Sequence, residues 1–215
     1  MKKRALLLLS GGIDSPVAGR LLLDAGFELE AVHFSLEPFT DASPEEKCTE
    51  LARRLGLARL LVVPAGPLFA EFTKECAHPL YFVLSKRLMV RVASRLARDL
   101  GCPFIATGEN LGQVSSQTLP NLATIDAAAE LPVLRPLVTY DKLDIVRLAE
   151  RFGTFEVSKG PEMCDALGPA HPSTASSVEG AAREEAKLDV EALVRRALDT
   201  VREKPLAAAP EAPPA

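Results

Sequence analysis

A short apolar run near the start of the chain leads at once into two glycines and then into an amphipathic stretch. Residues 5–9 are all apolar, which predicts a buried β-strand. Gly11 and Gly12 allow a tight backbone turn, and residues 16–25 have the spacing of a helix that ends at Gly26. A strand, a turn and a helix in this order are typical of one unit of a parallel sheet.

The same alternation continues along the chain and predicts an α/β fold with a twisted, mainly parallel five-stranded sheet and helices on both faces. Strands are expected at residues 5–9, 30–34, 59–63, 103–107 and 133–135, the last being either an edge strand or a brief buried one. Helices are expected at residues 16–25, 43–55, 67–76, 80–100, 141–152 and 179–203, and Ser43 is expected to cap the second. Residues 154–172 are expected to form a surface loop.

The length of 215 residues suits one domain, which we assign to residues 1–203, followed by a Pro/Ala-rich disordered tail at residues 204–215. The first apolar run is shorter than the roughly 7–15 residues of an export signal, and none approaches the roughly 20 residues that span a bilayer. We therefore expect a cytoplasmic protein with no membrane association. Four cysteines without a C-x-x-C pair argue against a disulfide framework and a structural metal.

The turn and its neighbours, Ser10-Gly11-Gly12-Ile13-Asp14-Ser15, have the chemistry of an anion site. Backbone N–H groups of the turn and the positive end of the next helix converge there, and the serines add hydroxyl donors. Asp14 would repel a bare phosphate, so it is expected to hold Mg²⁺ or to orient the reacting group. The alternative is a glycine turn in which Asp14 merely caps a helix.

The Ser-Gly-Gly-x-Asp-Ser motif resembles the signature of the PP-loop ATP pyrophosphatases, which have an adenine nucleotide alpha-hydrolase-like fold. The resemblance implies an enzyme that splits ATP between the α and β phosphates, adenylates a substrate oxygen and releases pyrophosphate. An amine or sulfur nucleophile then displaces AMP. The motif alone does not choose among the amide-forming, lysidine-forming and thiolating members.

A second block follows the fourth predicted strand, where parallel sheets bind ligands: Thr107-Gly108-Glu109-Asn110-Leu111-Gly112-Gln113-Val114-Ser115-Ser116-Gln117-Thr118. Its side chains Glu109, Gln113 and Gln117 offer adenine, ribose or metal contacts, although the block alone is also compatible with a polar loop that caps the next helix. Together with Asn121-Leu122, Ile125-Asp126, Leu134-Arg135-Pro136-Leu137 and Tyr140-Asp141-Lys142, it resembles the catalytic domain of the ThiI family.

Members of that family are tRNA 4-thiouridine synthetases, also called tRNA sulfurtransferases, and they contribute to the thiazole of thiamine. The resemblance implies an ATP-dependent enzyme that adenylates a uridine oxygen of tRNA and replaces it with persulfide sulfur. Two alternatives stay open. One is a PP-loop enzyme that adenylates a small molecule or a sulfur-carrier protein, and the other is a non-catalytic nucleotide-binding subunit.

The resemblance also assigns site residues. It implies ATP contacts from Leu8, Leu9, Ser10, Gly11, Gly12, Ile13, Asp14, Ser15, His33, Phe34, Lys86, Gly108 and Gln117. It implies catalytic roles for Asp14, Lys142 and Cys164, the last as a thiol of sulfur transfer in Pro161-Glu162-Met163-Cys164.

Elementary chemistry supports some of these assignments and leaves others open. Lys142 opens a predicted helix, where a cation opposes the dipole, and this placement suggests a role in stabilising charge on the α-phosphate or on AMP. Cys164 is alternatively a small buried hydrophobe. His33 is equally compatible with a structural histidine, and for the basic residues between Lys86 and Arg98 a solvated helix face is favoured over a nucleic-acid stripe.

Full-length ThiI proteins carry a THUMP domain that grips tRNA, and some carry a rhodanese domain. We expect neither here, and the net charge of −4 does not indicate unaided nucleic-acid binding. The tRNA is therefore expected to be presented by a separate THUMP-type protein. A cysteine desulfurase or a separate rhodanese is the expected sulfur donor.

Overall fold

The apolar run at the start of the chain forms the middle of a six-stranded sheet. The computed structural model describes residues 3–112, 116–160 and 167–206. The strands are β1 (Lys3–Leu8), β2 (Phe27–Ser35), β3 (Arg59–Pro64), β4 (Phe104–Ala106), β5 (Val133–Leu134) and β6 (Arg202–Pro205), in the order β5-β4-β1-β2-β3-β6. The first five strands pair in parallel, whereas β6 runs antiparallel to β3. The predicted α/β fold is confirmed, with one additional strand at an edge.

Helices cover both faces of this sheet. They are α1 (Asp14–Asp24), α2 (Ser43–Arg54), α3 (Gly66–Glu75), α4 (Tyr81–Asp99), α5 (Leu119–Asp126), α6 (Lys142–Arg151), α7 (Phe155–Ser158), α8 (Val178–Glu185) and α9 (Val190–Asp199), with a 3₁₀ turn at His78–Leu80. Within the described residues, no helix is long and apolar enough to cross a membrane.

The alternation of side chains along β1 separates two cores. Leu6 and Leu8 point to the cluster built from α3, α4, α5, α8 and α9, whereas Leu7 packs in the cluster that includes α2. Successive side chains of a strand lie on opposite faces, so both faces of β1 must be apolar. This requirement explains why the run contains no polar residue.

The end of the chain differs from the prediction. Residues 179–203 do not form one helix, because a second cap interrupts them: the Asp189 side chain accepts a hydrogen bond from the Ala192 N–H and starts α9. Arg202–Pro205 then pairs with β3, and Leu206 is buried. The domain therefore extends past residue 203, and the tail boundary at residue 204 is wrong. Residues 207–215 of the predicted tail lie outside the described residues.

Three local expectations are also resolved. Ser43 is the first residue of α2 rather than its cap, because Ala42 occupies the cap position and the Asp41 carboxylate accepts the Ser43 N–H at 3.0 Å. The short strand β5 lies at the edge of the sheet, which decides between the two possibilities for residues 133–135. The expected loop at residues 154–172 contains the helical turn α7.

Candidate functional site

The loops after β1 and β4 meet at the point where the strand order reverses. The strand β1 has β2 on one side and β4 on the other, so the segments that follow β1 and β4 leave the sheet side by side at its carboxyl edge. In parallel sheets this reversal is where ligands bind. A cavity of about 870 Å³ opens there, between the two loops and the start of α4.

The predicted ATP-binding residues lie together in this cavity. Those that line it are Leu8, Leu9, Ser10, Gly11, Gly12, Ile13, Asp14, Ser15, His33, Phe34, Lys86, Gly108 and Gln117, joined by the predicted catalytic residue Lys142. The predicted sulfur-transfer residue Cys164 and the candidate contact Gln113 lie outside the described residues.

Hydrogen bonds within the first loop shape an anion cradle. The Ser15 hydroxyl accepts the Ser10 N–H at 2.9 Å and lies 3.1 Å from the Ser10 hydroxyl, which in turn accepts the Gly12 N–H at 3.3 Å. The cap position of α1, Ile13, makes no side-chain capping bond. Ile13, Asp14 and Ser15, at the N-terminus of α1, line the cavity, and backbone N–H groups at a helix N-terminus are donors that suit a phosphate.

Asp14 does not cap this helix. It is the first residue of α1, and its Oδ1 accepts a hydrogen bond from Lys142 Nζ at 2.7 Å. The alternative in which Asp14 serves only as a helix cap is therefore wrong. The ion pair joins the first loop to the N-terminus of α6, so the two predicted catalytic residues in the described chain meet at the cavity.

Gly108 brings the second loop against the first. A Cβ at this position would lie 2.5 Å from Ser15 N and 2.6 Å from Ser15 Cα, which is closer than real Cβ atoms approach backbone. Only glycine allows this contact. The same block also caps a helix, because the Thr118 hydroxyl accepts the Asn121 N–H at the start of α5. Gly108 thus lies at the cavity, as a ligand-contacting block requires, whereas Thr118 acts as the cap of the next helix.

Asn110 holds the segment that carries Lys142. Its side-chain amide donates to the carbonyl oxygens of Leu137 and Tyr140 at 2.7 and 2.6 Å, and its backbone N–H donates to Gln117 Oε1 at 3.1 Å. The Asp141 carboxylate then caps α6 through the Leu143 N–H at 2.8 Å. A side chain that sequence reasoning did not single out thus positions Lys142, and no local pattern indicated this role.

Glu109 is buried beside Lys86 in the cavity wall. Its Oε1 lies 2.8 Å from Lys86 Nζ, and its Oε2 accepts from Arg135 Nε at 2.8 Å and from the Thr107 hydroxyl at 3.2 Å. Burial alone would raise the pKa of Glu109, but the charges of Lys86 and Arg135 outweigh it and lower the pKa to about 2. The carboxylate is therefore ionised at neutral pH.

His33 lies at the end of β2, and its Nδ1 is 3.2 Å from the Leu9 carbonyl oxygen and 3.2 Å from Cys48 Sγ. Burial lowers its pKa, so the ring is neutral at pH 7. Its Nε2 has no hydrogen-bond partner within residues 3–112, 116–160 and 167–206. The contacts of Nδ1 fit the interpretation of His33 as a structural histidine, while contact between His33 and a nucleotide stays a prediction.

The basic residues of α4 divide between the interior and the surface. Glu185 of α8 pairs with Arg87 through two contacts of 2.8 Å and with Arg91 at 2.6 and 3.0 Å, and Arg87 is buried. Arg95 and Arg98 pair with Glu130, but their side chains are 37% and 53% exposed. The expected solvated face therefore holds for Arg95 and Arg98 and is wrong for Arg87 and Arg91, whose side chains are 3% and 20% exposed.

Segments on both sides of residues 161–166 contact the cavity region. On one side, the Lys159 carbonyl oxygen accepts from Nζ of the cavity-lining Lys47 at 3.3 Å. On the other, the Leu167 carbonyl oxygen lies 3.0 Å from His78 Nε2, and Gly168 packs on the ring of Phe82. Gly168, Pro169, Ala170 and Pro172 line the cavity.

The described cysteines are poor nucleophiles. Cys48 is fully buried beneath His33, and burial raises the pKa of its thiol. Cys76 is half-buried, and burial together with Glu184 raises its pKa as well. Cys102 belongs to the core, as expected.

The fold and the loop geometry define an α/β nucleotide-binding domain of the PP-loop type. The family model described as "Thiamine biosynthesis protein (ThiI)" matches residues 1–190, and the chain belongs to the ThiI family. The chain is 41% identical over 204 residues to a probable tRNA sulfurtransferase of Alkaliphilus oremlandii, and these residues cover 92% of the chain and 52% of that relative. It is 41% identical over 203 residues to a probable tRNA sulfurtransferase of Coxiella burnetii, covering 91% and 52%.

Among solved structures, the chain resembles a 4-thiouridine synthetase crystallised as an RNA complex with bound ATP. The TM-score is 0.90 and the identity 36%, over 95% of this chain and 55% of that one. An NMN synthetase from Francisella tularensis, at 17% identity and a TM-score of 0.59, shares the fold. The chain spans about half the length of the curated relatives it matches.

Proposed function

We propose that this domain is the ATP-dependent catalytic unit of a tRNA sulfurtransferase, which adenylates the 4-oxygen of a tRNA uridine and replaces it with sulfur. The observation that carries the proposal is the 2.7 Å ion pair between Asp14 and Lys142, which lies in the cavity wall beside the Ser10–Ser15 loop. The 4-thiouridine synthetase with ATP bound, which shares the fold at a TM-score of 0.90, supports it.

In this proposal the first loop and the N-terminus of α1 bind the phosphates through backbone N–H groups. Lys86, which lines the cavity, neutralises phosphate charge. Phe34 and other apolar residues that line the cavity surround the adenine. Contacts within the fold hold these residues, since Ser10 bonds Ser15, Lys86 pairs with Glu109 and Phe34 packs in the core.

Mg²⁺ fits the donor set at Asp14. A carboxylate oxygen is a ligand that this hard cation prefers, and Mg²⁺ commonly takes one or two carboxylates with phosphate oxygens and water. Bound there with ATP, Mg²⁺ would neutralise phosphate charge. Lys142, 2.7 Å from the same carboxylate, would stabilise charge on the α-phosphate and on departing AMP.

The chemistry proceeds in two displacements. The uridine 4-oxygen attacks the α-phosphorus, and pyrophosphate leaves. The terminal sulfur of a persulfide on Cys164 then attacks carbon 4, and AMP leaves with the former uridine oxygen. A second thiol attacks the remaining Cys164 sulfur, which releases the thiolated base and leaves a disulfide for a reductant to reopen.

We further propose that the tRNA is presented by a separate THUMP-type protein and that a cysteine desulfurase or a rhodanese supplies the persulfide in the cytoplasm. The charge distribution supports an RNA-presenting partner, because the arginines of α4 that would suit a phosphate backbone are paired with Glu185 and Glu130.

The test separates the two displacements. Asp14→Ala and Lys142→Met are each expected to abolish thiolation of tRNA in a reaction with ATP, a persulfide donor and the presenting protein. Cys164→Ser is expected to release pyrophosphate at the wild-type rate without incorporating sulfur. A Cys164→Ser protein that thiolates normally would refute the role of that cysteine.

A second candidate is adenylation of a small molecule or a sulfur-carrier protein in thiamine supply, which the family's description favours. Nucleoside analysis of tRNA from a deletion strain decides between them. Loss of 4-thiouridine supports the first function, and retained 4-thiouridine with a thiamine requirement supports the second. Pyrophosphate release by the purified protein would exclude a non-catalytic subunit.

A further inference from the structure

Glu109 has a structural environment that fits an indirect role at the cavity. It is 8% exposed, and its two carboxylate oxygens receive donors from Lys86, Arg135 and Thr107. Arg135 is itself fixed, because its two terminal nitrogens lie 2.9 and 2.6 Å from the Asp126 carboxylate. The side chain of Glu109 is therefore held from one side by a rigid guanidinium and holds a flexible lysine on the other.

The same contacts argue against direct coordination of a metal ion by Glu109. Each of the two Glu109 oxygens contacts a cation at 2.8 Å, whereas the Lys142 contact at Asp14 is to Oδ1 alone. A divalent cation at Glu109 would therefore have to replace an ammonium or a guanidinium, and the remaining cation would repel it. Both residues line the cavity, but Lys86 is the more exposed, with 24% of its side chain accessible against 10% for Glu109. Because both Glu109 oxygens are already engaged by Lys86, Arg135 and Thr107, the group that reaches a bound molecule is Lys86 Nζ.

We propose that Glu109 is a positioning residue that holds the Lys86 ammonium at the cavity wall, ready to meet a nucleotide phosphate. The inference rests on the proposed function, because it takes the phosphate of ATP as the ligand of Lys86. A lysine carries its charge on a flexible four-carbon stem, so a fixed counter-charge reduces the rotamer entropy lost on binding.

This role and simple charge neutralisation predict opposite results. If Glu109 only cancels positive charge, Glu109→Gln makes the cavity more positive and tightens ATP binding. If Glu109 positions Lys86, the same change weakens ATP binding by about tenfold, the scale of one hydrogen bond to a charged group. The sign of the effect therefore distinguishes the two.

The experiment measures ATP binding by isothermal titration calorimetry for the wild-type chain, Glu109→Gln, Lys86→Met and the double variant. We expect Glu109→Gln to weaken binding in the wild-type background and to have no further effect in the Lys86→Met background. Glu130→Gln is the matched control, because Glu130 also pairs with two cations of α4, Arg95 and Arg98, and is expected to bind ATP like the wild type. Unchanged or tighter binding by Glu109→Gln, or additive losses in the double variant, would overturn the proposal.

Two further measurements test the inference if the Glu109→Gln protein does not fold or if the wild-type protein does not bind ATP. If Glu109→Gln does not fold, Glu109→Asp replaces it, because the shorter side chain keeps the charge but moves it away from Lys86. ATP binding by Glu109→Asp that equals the wild type would count against positioning. Labelling of the Lys86 amine in nucleotide-free protein, followed by mass spectrometry, needs no ATP. A several-fold faster labelling in the Glu109 variant supports the inference even if wild-type protein fails to bind ATP, and an unchanged rate contradicts it.

Discussion

Gly108→Ala is expected to disable the nucleotide site while leaving the rest of the domain folded. The new Cβ would lie 2.5 Å from Ser15 N, 2.6 Å from Ser15 Cα and 2.7 Å from the Asp14 carbonyl carbon. These are backbone atoms of the first turn of α1, so no side chain can rotate away to make room. Ordinary carbon contacts are roughly 3.5–4.0 Å, so the two loops must separate by about 1 Å.

The consequence for catalysis follows from that displacement. A misplacement of about 1 Å at a reacting site costs on the order of 100-fold in rate, and overpacking costs about 1–3 kcal/mol of stability. We therefore expect the rate of pyrophosphate release to fall about 100-fold. The free energy of unfolding should fall only by the roughly 1–3 kcal/mol that overpacking costs. Pyrophosphate release with substrate present and thermal unfolding by circular dichroism measure the two effects.

Gly19→Ala is the matched control. Its Cβ would lie 2.7 Å from Leu7 Cδ2 and 3.2 Å from Leu55 Cδ1, which are ends of flexible side chains in the core rather than backbone at the cavity. We expect this variant to lose stability and to keep its pyrophosphate release. A Gly108→Ala protein with wild-type activity would refute the argument that close approach of the two loops forms the site, and equal activity losses in both variants would show a general effect on folding.

Two further predictions concern the buried charges. The folded-state pKa of Glu109, about 2, lies below its ordinary value of 4.5, so its contribution to stability is complete above pH 4.5 and is lost as the pH falls toward 2. The contribution is on the order of 3 kcal/mol, and the difference in urea unfolding free energy between wild type and Glu109→Gln should shrink over that range; a difference that is constant with pH would contradict it. Arg87→Met should destabilise the domain by about 3 kcal/mol, because Glu185 then keeps only Arg91 in a buried setting, and an unchanged urea midpoint would show that α8 docks without this pair.

Much of the fold was predictable because it depends on local patterns. The five parallel strands and the helices α1 to α4 follow from apolar periodicity and from glycines at helix ends, and each appears near its expected position, whereas α5 between β4 and β5 was not expected. The prediction failed at residues 179–203, where an amphipathic pattern continues across the Asp189 cap and into β6. Strand pairing with β3 depends on a segment more than a hundred residues away, which periodicity does not report.

The candidate site was also predictable only in part. The Ser10–Ser15 loop was recognisable because its chemistry lies in six consecutive residues, and the structure brings it together with Lys86, Gly108, Gln117 and Lys142. The roles of Glu109, Asn110 and Glu185 were not predictable, because each depends on partners 23 to 98 residues distant in the chain. Cys164 stays a prediction from the sequence, since it lies outside the described residues.

The sequence by itself determined that a buried strand leads into a glycine turn and a helix, because backbone preferences and side-chain periodicity act between near neighbours. Only the tertiary structure decided which charges meet. Asp14 and Lys142 are 128 residues apart, yet they form a contact of 2.7 Å because β1 and β4 are adjacent in the sheet and the loop after β4 holds the start of α6. Packing of α4 against β4 likewise brings Lys86 to Glu109, and so the tertiary arrangement turns a glycine-rich loop into a candidate site for adenylation.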